Sequence, residues 1–236
     1  MPAAEAAAQS SVAVSPESLA LGVEIATLLN SEEITRVQTT KLFDETMPAT
    51  FAGNPDFAAL EADFPGVTQE LLAAMRPEIE KQVIASLPDL WNRLGAVYAG
   101  SLTDAEMRQM LLFYRSDTGR WLIDQIATGV DFSGMIDTMI KNPEARVTPD
   151  DLRNSLQGAA VTGVVRTMTK QREADLRAML ATSAGRKIRA LNPRLLAIAA
   201  AWSNEPDPEG DARIDAIVEG VIGKYIDADD DKAERS

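Results

Sequence analysis

The chain has 236 residues, 45% of them hydrophobic, which is enough for a buried core and fits one domain or two small ones. It holds no cysteine and no histidine, which excludes disulfides, thiol catalysis, thiolate or imidazole metal sites and Ser-His or Cys-His nucleophile pairs. A net charge of −13 disfavours nucleic-acid binding, and no apolar run approaches the roughly 18 residues of a membrane span.

Residues 1–14 are small and carry no Lys or Arg, so they lack the basic start of a signal peptide. They read as a flexible tail, one origin being the remnant of a removed signal. Ser15-Pro16-Glu17 then places a capping hydroxyl before a first-turn proline and an acid. Ser31-Glu32-Glu33 opens a second helix, expected to end near Met47-Pro48. A turn-rich loop follows, with "GNPD" at 53–56 and "FPG" at 64–66. From 67 to 100 the apolar positions Leu72, Met75, Ile79, Val83, Leu87, Leu90, Leu94 and Val97 keep helical spacing across Pro77 and Pro88. One long kinked helix is predicted there, three short helices being the alternative.

Thr103-Asp104-Ala105-Glu106 is a full capping box. Met107, Met110, Leu111 and Tyr114 line one face of the helix it opens, and Leu112 and Phe113 widen that face toward burial on several sides. Ser116 reads as the cap of the next helix, with Asp117 in its first turn and Gly119 marking a close approach. Further starts fall at Thr148-Pro149-Asp150, at Asp207-Pro208-Glu209 and, more weakly, at Asn192-Pro193. The last helix, 208–226, carries the stripe Ile214, Ile217, Val218, Val221, Ile222 and Tyr225. A disordered acidic tail is expected over 227–236.

The fold class is therefore all-α: an irregular bundle of about eight to ten helices. A single domain is expected over 15–226. A 66-residue shift lays Thr169 on Thr103, Thr182 on Ser116, Gly185 on Gly119 and Arg186 on Arg120. A degenerate internal repeat, with related halves at 67–140 and 149–203, is one reading of this. Chance likeness between Ala- and Arg-rich helices is the other.

The stretch "YAGSLTDAEMRQMLLFYRSDTGRWL" resembles the signature of domain-of-unknown-function family 2059, a bacterial group usually carrying export signals. Tyr98, Thr103, Glu106, Phe113, Tyr114, Ser116 and Gly119 match its pattern, while Asp117 stands where that family prefers proline. The resemblance implies an all-helical envelope protein, periplasmic or secreted, and brings no catalytic residues. A cytoplasmic location is the alternative, because this chain shows no signal peptide.

Thr103, Glu106, Tyr114, Ser116 and Gly119 are thus expected to build a structural corner between helices. No cofactor is expected. Asp227, Asp229 and Asp231 mimic an EF-hand start, but Lys232 occupies the glycine position. Gly158 and Gly163 have P-loop spacing, but Val164 and Val165 replace the Lys and Ser/Thr. Acidic pairs such as Asp150-Asp151 read as helix first turns. The remaining candidate is a basic segment: Arg166, Lys170, Arg172, Arg177, Arg186, Lys187, Arg189 and Arg194, opposed only by Glu173 and Asp175. These cations either pair with acidic terminal regions of the same chain or form a face for an anionic partner. Three functions follow: a non-enzymatic envelope binding module for a protein or anionic envelope component, a carboxylate-only hydrolase, or a structural subunit forming homo-oligomers through its C-terminal stripe.

Overall fold

The computed structural model describes residues 14–142, 144–159 and 163–233, so the tail expected over 1–14 lies outside it apart from Val14. The described residues are helical with no strand. In chain order they form α1 (Pro16–Leu29), α2 (Glu32–Lys41), a π-helical turn (Leu42–Thr46), α3 (Met47–Gly53) and α4 (Pro55–Asp63). Then come α5 (Val67–Ser101), α6 (Asp104–Tyr114), α7 (Asp117–Gly129), α8 (Ser133–Lys141) and α9 (Pro149–Ala159). The short α10 (Val165–Thr167), α11 (Lys170–Ala181), α12 (Ser183–Ser203) and α13 (Pro208–Ala233) complete the chain.

The expected caps form. Ser15 accepts from the Ser18 amide, Ser31 from Ile34, Thr103 from Glu106 and Ser116 from Gly119. Asp207 accepts from the Gly210 amide at 2.9 Å. Asp151 accepts from the Thr148 amide and hydroxyl, and these hold its carboxyl below the usual range. Such charge-assisted bonds satisfy amides that helix geometry leaves unpaired.

Four boundaries differ from the sequence reading. The second helix does not end near Met47-Pro48: a π-helical turn carries it on into α3, with Pro48 just after that turn. The stretch expected as loop contains α4, capped by Asn54 with Pro55 in its first turn. Pro193 lies inside α12 rather than at a start, because Leu196 and Ala200 continue the buried face across it. Finally, α13 extends to Ala233 instead of stopping near 226, as no Gly or Pro follows Gly223 to break it.

Helix α5 is the spine. It runs unbroken through Pro77 and Pro88, about 52 Å at 1.5 Å per residue. Its first turns hold a small core of Val67, Leu71 and Val221, with Phe64, Val218, Ile222 and Tyr225 around it. The C-terminal stripe is thereby packed on α5. The main core lies at the other end: Leu87, Leu90, Leu94 and Tyr98 of α5 meet Ile25 and Ala26 of α1, Met107, Met110 and Leu111 of α6, and Ala184 of α12. α1 and α5 touch backbone to backbone where Gly22 faces Gly95; a Cβ on Gly95 would lie 2.7 Å from the Val23 amide. Leu112 breaks the expected pattern, being 73% exposed. The packed arc of α6 is narrower than its apolar residues suggest.

Candidate functional site

The α6–α7 corner is made by short-range bonding. The Ser116 hydroxyl donates to the Phe113 carbonyl at 2.6 Å and accepts from the Gly119 amide at 3.1 Å. Arg120 reaches back to the Arg115 carbonyl. Gly119 is buried, and a Cβ there would lie 2.5 Å from the Tyr114 Cα and against the Phe113 carbonyl. The turn is so tight that only glycine fits.

The α11–α12 corner repeats these contacts at the 66-residue shift. The Thr182 hydroxyl donates to the Met179 carbonyl at 2.7 Å and accepts from the Gly185 amide at 3.0 Å. Arg186 donates to the Ala181 carbonyl, and a Cβ on Gly185 would lie 2.8 Å from the Leu180 Cα. The two corners also interlock. Glu106 of the first accepts from Ser183 and Lys187 of the second, both at 2.7 Å. In return, the Thr118 hydroxyl of the first donates to Asp175 of the second at 2.6 Å. Lys187, Ser183 and the Thr103 amide together hold the Glu106 carboxyl down at about 2. Thr103, Glu106, Ser116 and Thr118 of the first corner are thereby engaged in holding the two corners together.

The basic segment is distributed over three elements. Lys187 is half-buried on Glu106, and Arg177 pairs with Glu173 at 2.6 Å. Arg172 lies 4.5 Å over the Trp121 ring and donates to the Thr167 carbonyl. Arg186 and Arg189 turn toward carbonyls at the end of α11. Arg166, Lys170 and Arg194 are exposed. Among the described residues, none of the eight pairs with an acid of the N- or C-terminal region.

A groove of about 750 Å³ opens on another side, between the π-helical turn, α3, α4 and α5. Phe43, Phe51 and Leu72 form its buried floor, and Phe57 stacks on Phe51 with ring centroids 3.9 Å apart. Asp44 and Arg76 pair on its lining at 2.8 Å, and Arg76 also donates to Thr40. Glu61 lines it too; Thr68 and the Gly66 amide hold its carboxyl low. The sequence reading treats this region as a turn-rich loop. The available signal was aromatic density: Phe43, Phe51, Phe57 and Phe64 are four of the six phenylalanines in the chain. Among the described residues no three acidic side chains cluster to hold a metal, and no helix is long and apolar enough to cross a membrane.

Residues 89–127 match the model of a family described as "Uncharacterized protein conserved in bacteria", DUF2059. The matched residues cover the end of α5, α6 and most of α7, that is, the first corner and not the second. No curated protein and no solved structure matches the chain.

Proposed function

We propose that this chain is a non-enzymatic binding module of the bacterial cell envelope that takes an apolar partner surface in the groove between α3, α4 and α5. The groove carries the reading. Its volume of about 750 Å³ falls within the roughly 300–1,000 Å³ range of ligand sites, with aromatic floor and few polar groups. The bacterial family matched at 89–127, whose resemblance implies export, supports the envelope location.

The carboxylate-only hydrolase is less well supported. A glycosidase acid needs a raised pKa beside a second carboxylate. Glu61, which lines the groove, is shifted the other way, as are Glu70, Glu78, Glu106, Asp131 and Asp151. Self-association through the C-terminal stripe draws less support, because Val218, Val221, Ile222 and Tyr225 of that stripe pack on α5 within the chain. A second reading keeps a specific observation in its favour: Arg166, Lys170 and Arg194 are exposed cations with no carboxylate partner among the described residues, and so suit an anionic envelope component.

The test is titration of the full chain with the neutral apolar dye N-phenyl-1-naphthylamine. Saturable fluorescence enhancement is expected, abolished by Ala73→Trp, which fills the groove from an exposed position on α5. Dye binding that Ala73→Trp leaves unchanged rejects the groove as the site.

A further inference from the structure

We infer that the occupant of this groove is a cationic amphipathic helix of a partner protein. The inference rests on the groove reading above and adds the chemistry of the ligand.

The first observation is charge. Residues 42–66, which supply the π-helical turn, α3 and α4, contain Asp44, Glu45, Asp56, Glu61 and Asp63, and neither Lys nor Arg. All but Glu61 are exposed. Arg76 is the sole cation among the lining residues, and Asp44 neutralises it. Further along α5, Glu78 is shared by Lys81 and Arg213, and Glu80 pairs with Arg36 of α2. Glu61 is thus the lining charge left unbalanced, and Glu45, Asp56 and Asp63 stand exposed on the same elements outside the lining, so the surroundings of the floor carry net negative charge, felt within a Debye length of about 8–10 Å. Anionic lipid headgroups are repelled by it, and Lys or Arg beside an apolar face is attracted.

The second observation is backbone chemistry. The walls of the groove are helical, so their interior amides and carbonyls are bonded within the helices, and the Asn54 side chain caps the Asp56 and Phe57 amides at the start of α4. The groove offers no sheet edge to an extended strand, whose own backbone groups would be buried unpaired. A helix brings its backbone bonds with it. α4 has 9 residues, about 13.5 Å of wall, which matches two turns of an occupant with anchors at i, i+3, i+4 and i+7.

The experiment uses the full chain and three synthetic 16-residue probes: an amphipathic Leu/Lys helix, its Leu/Glu twin and a scrambled Leu/Lys peptide. The Leu/Lys helix should bind and displace N-phenyl-1-naphthylamine, with affinity falling about ten-fold or more between 50 and 500 mM salt. The twin and the scramble should bind at least about ten-fold more weakly. Ala73→Trp should abolish peptide and dye binding together. The triple variant Glu45→Gln, Asp56→Asn, Asp63→Asn alters only exposed charges; it should weaken the Leu/Lys helix about five-fold and leave the dye untouched. A chain that takes the dye but binds both helices equally, or neither, overturns the inference and leaves the groove reading standing. Failure to take the dye overturns both. A dimer of the chain alone that Ala73→Trp dissolves assigns the groove to a second copy and also overturns the inference.

Discussion

Ser116→Ala removes the acceptor of the Gly119 amide and the donor to the Phe113 carbonyl in one change. A cost of about 1 kcal/mol is expected in urea denaturation, and Thr182→Ala should cost about the same, because its bonds have the same pattern. Gly119→Ala should cost more, about 3 kcal/mol, since its Cβ meets backbone that cannot rotate away. Gly100→Ala, at an exposed helical position with open space around it, should instead stabilise by about 0.5–1 kcal/mol. Equal effects of the two glycine substitutions would refute the close-packing account. These roles are legible in sequence because a cap is local: hydroxyl, amide and carbonyl lie within three residues of one another. Leu112 is not legible in that way. Helical spacing marks it as part of an apolar face, but which arc of α6 meets α1 and α12 depends on residues far along the chain.

At the scale of elements, the apolar period carries α5 correctly across two prolines, because packing along 35 residues outweighs two lost backbone bonds. The same argument applies to Pro193 in α12, where the sequence reading gives the proline more weight than the face that spans it. The groove stayed hidden for a different reason. Phe43 and Phe51 come together with Leu72 only through the fold, while the local "GNPD" and "FPG" signals describe only the corners between elements. The contact between α6 and α12 has a pH signature. The Glu106 carboxyl sits at about 2 against an ordinary 4.5. The folded pKa is depressed, so the contribution of Glu106 is fully present above 4.5 and is lost as pH falls toward 2. Glu106→Gln should therefore be less stable than the wild type at pH 6, with the difference narrowing through this window. Urea midpoints of both proteins from pH 6 to pH 2.5 check it, and a difference that stays constant contradicts the assigned role.

The whole molecule consists of two corners locked into each other, with α5 passing behind them and the groove at the far end of that helix. This arrangement divides the basic segment by role. Lys187 belongs to the lock, while Arg166, Lys170 and Arg194 stand outside it. One reversal experiment separates the two. Lys187→Glu places a second carboxylate against Glu106 and should lower the melting temperature by several degrees, as loss of a buried-side partner costs about 1–3 kcal/mol. The triple reversal Arg166→Glu, Lys170→Glu, Arg194→Glu breaks no ion pair of the described structure and should melt within about 2 °C of the wild type. If these three cations meet an anionic envelope component, wild-type chain should co-sediment with phosphatidylglycerol vesicles at low salt, and the triple variant should stay in the supernatant. The net charge of −13 makes the attraction local, so it should vanish by about 0.5 M salt. A wild-type chain that ignores such vesicles at every salt concentration removes the basic face from consideration. In that case the groove remains as the partner site.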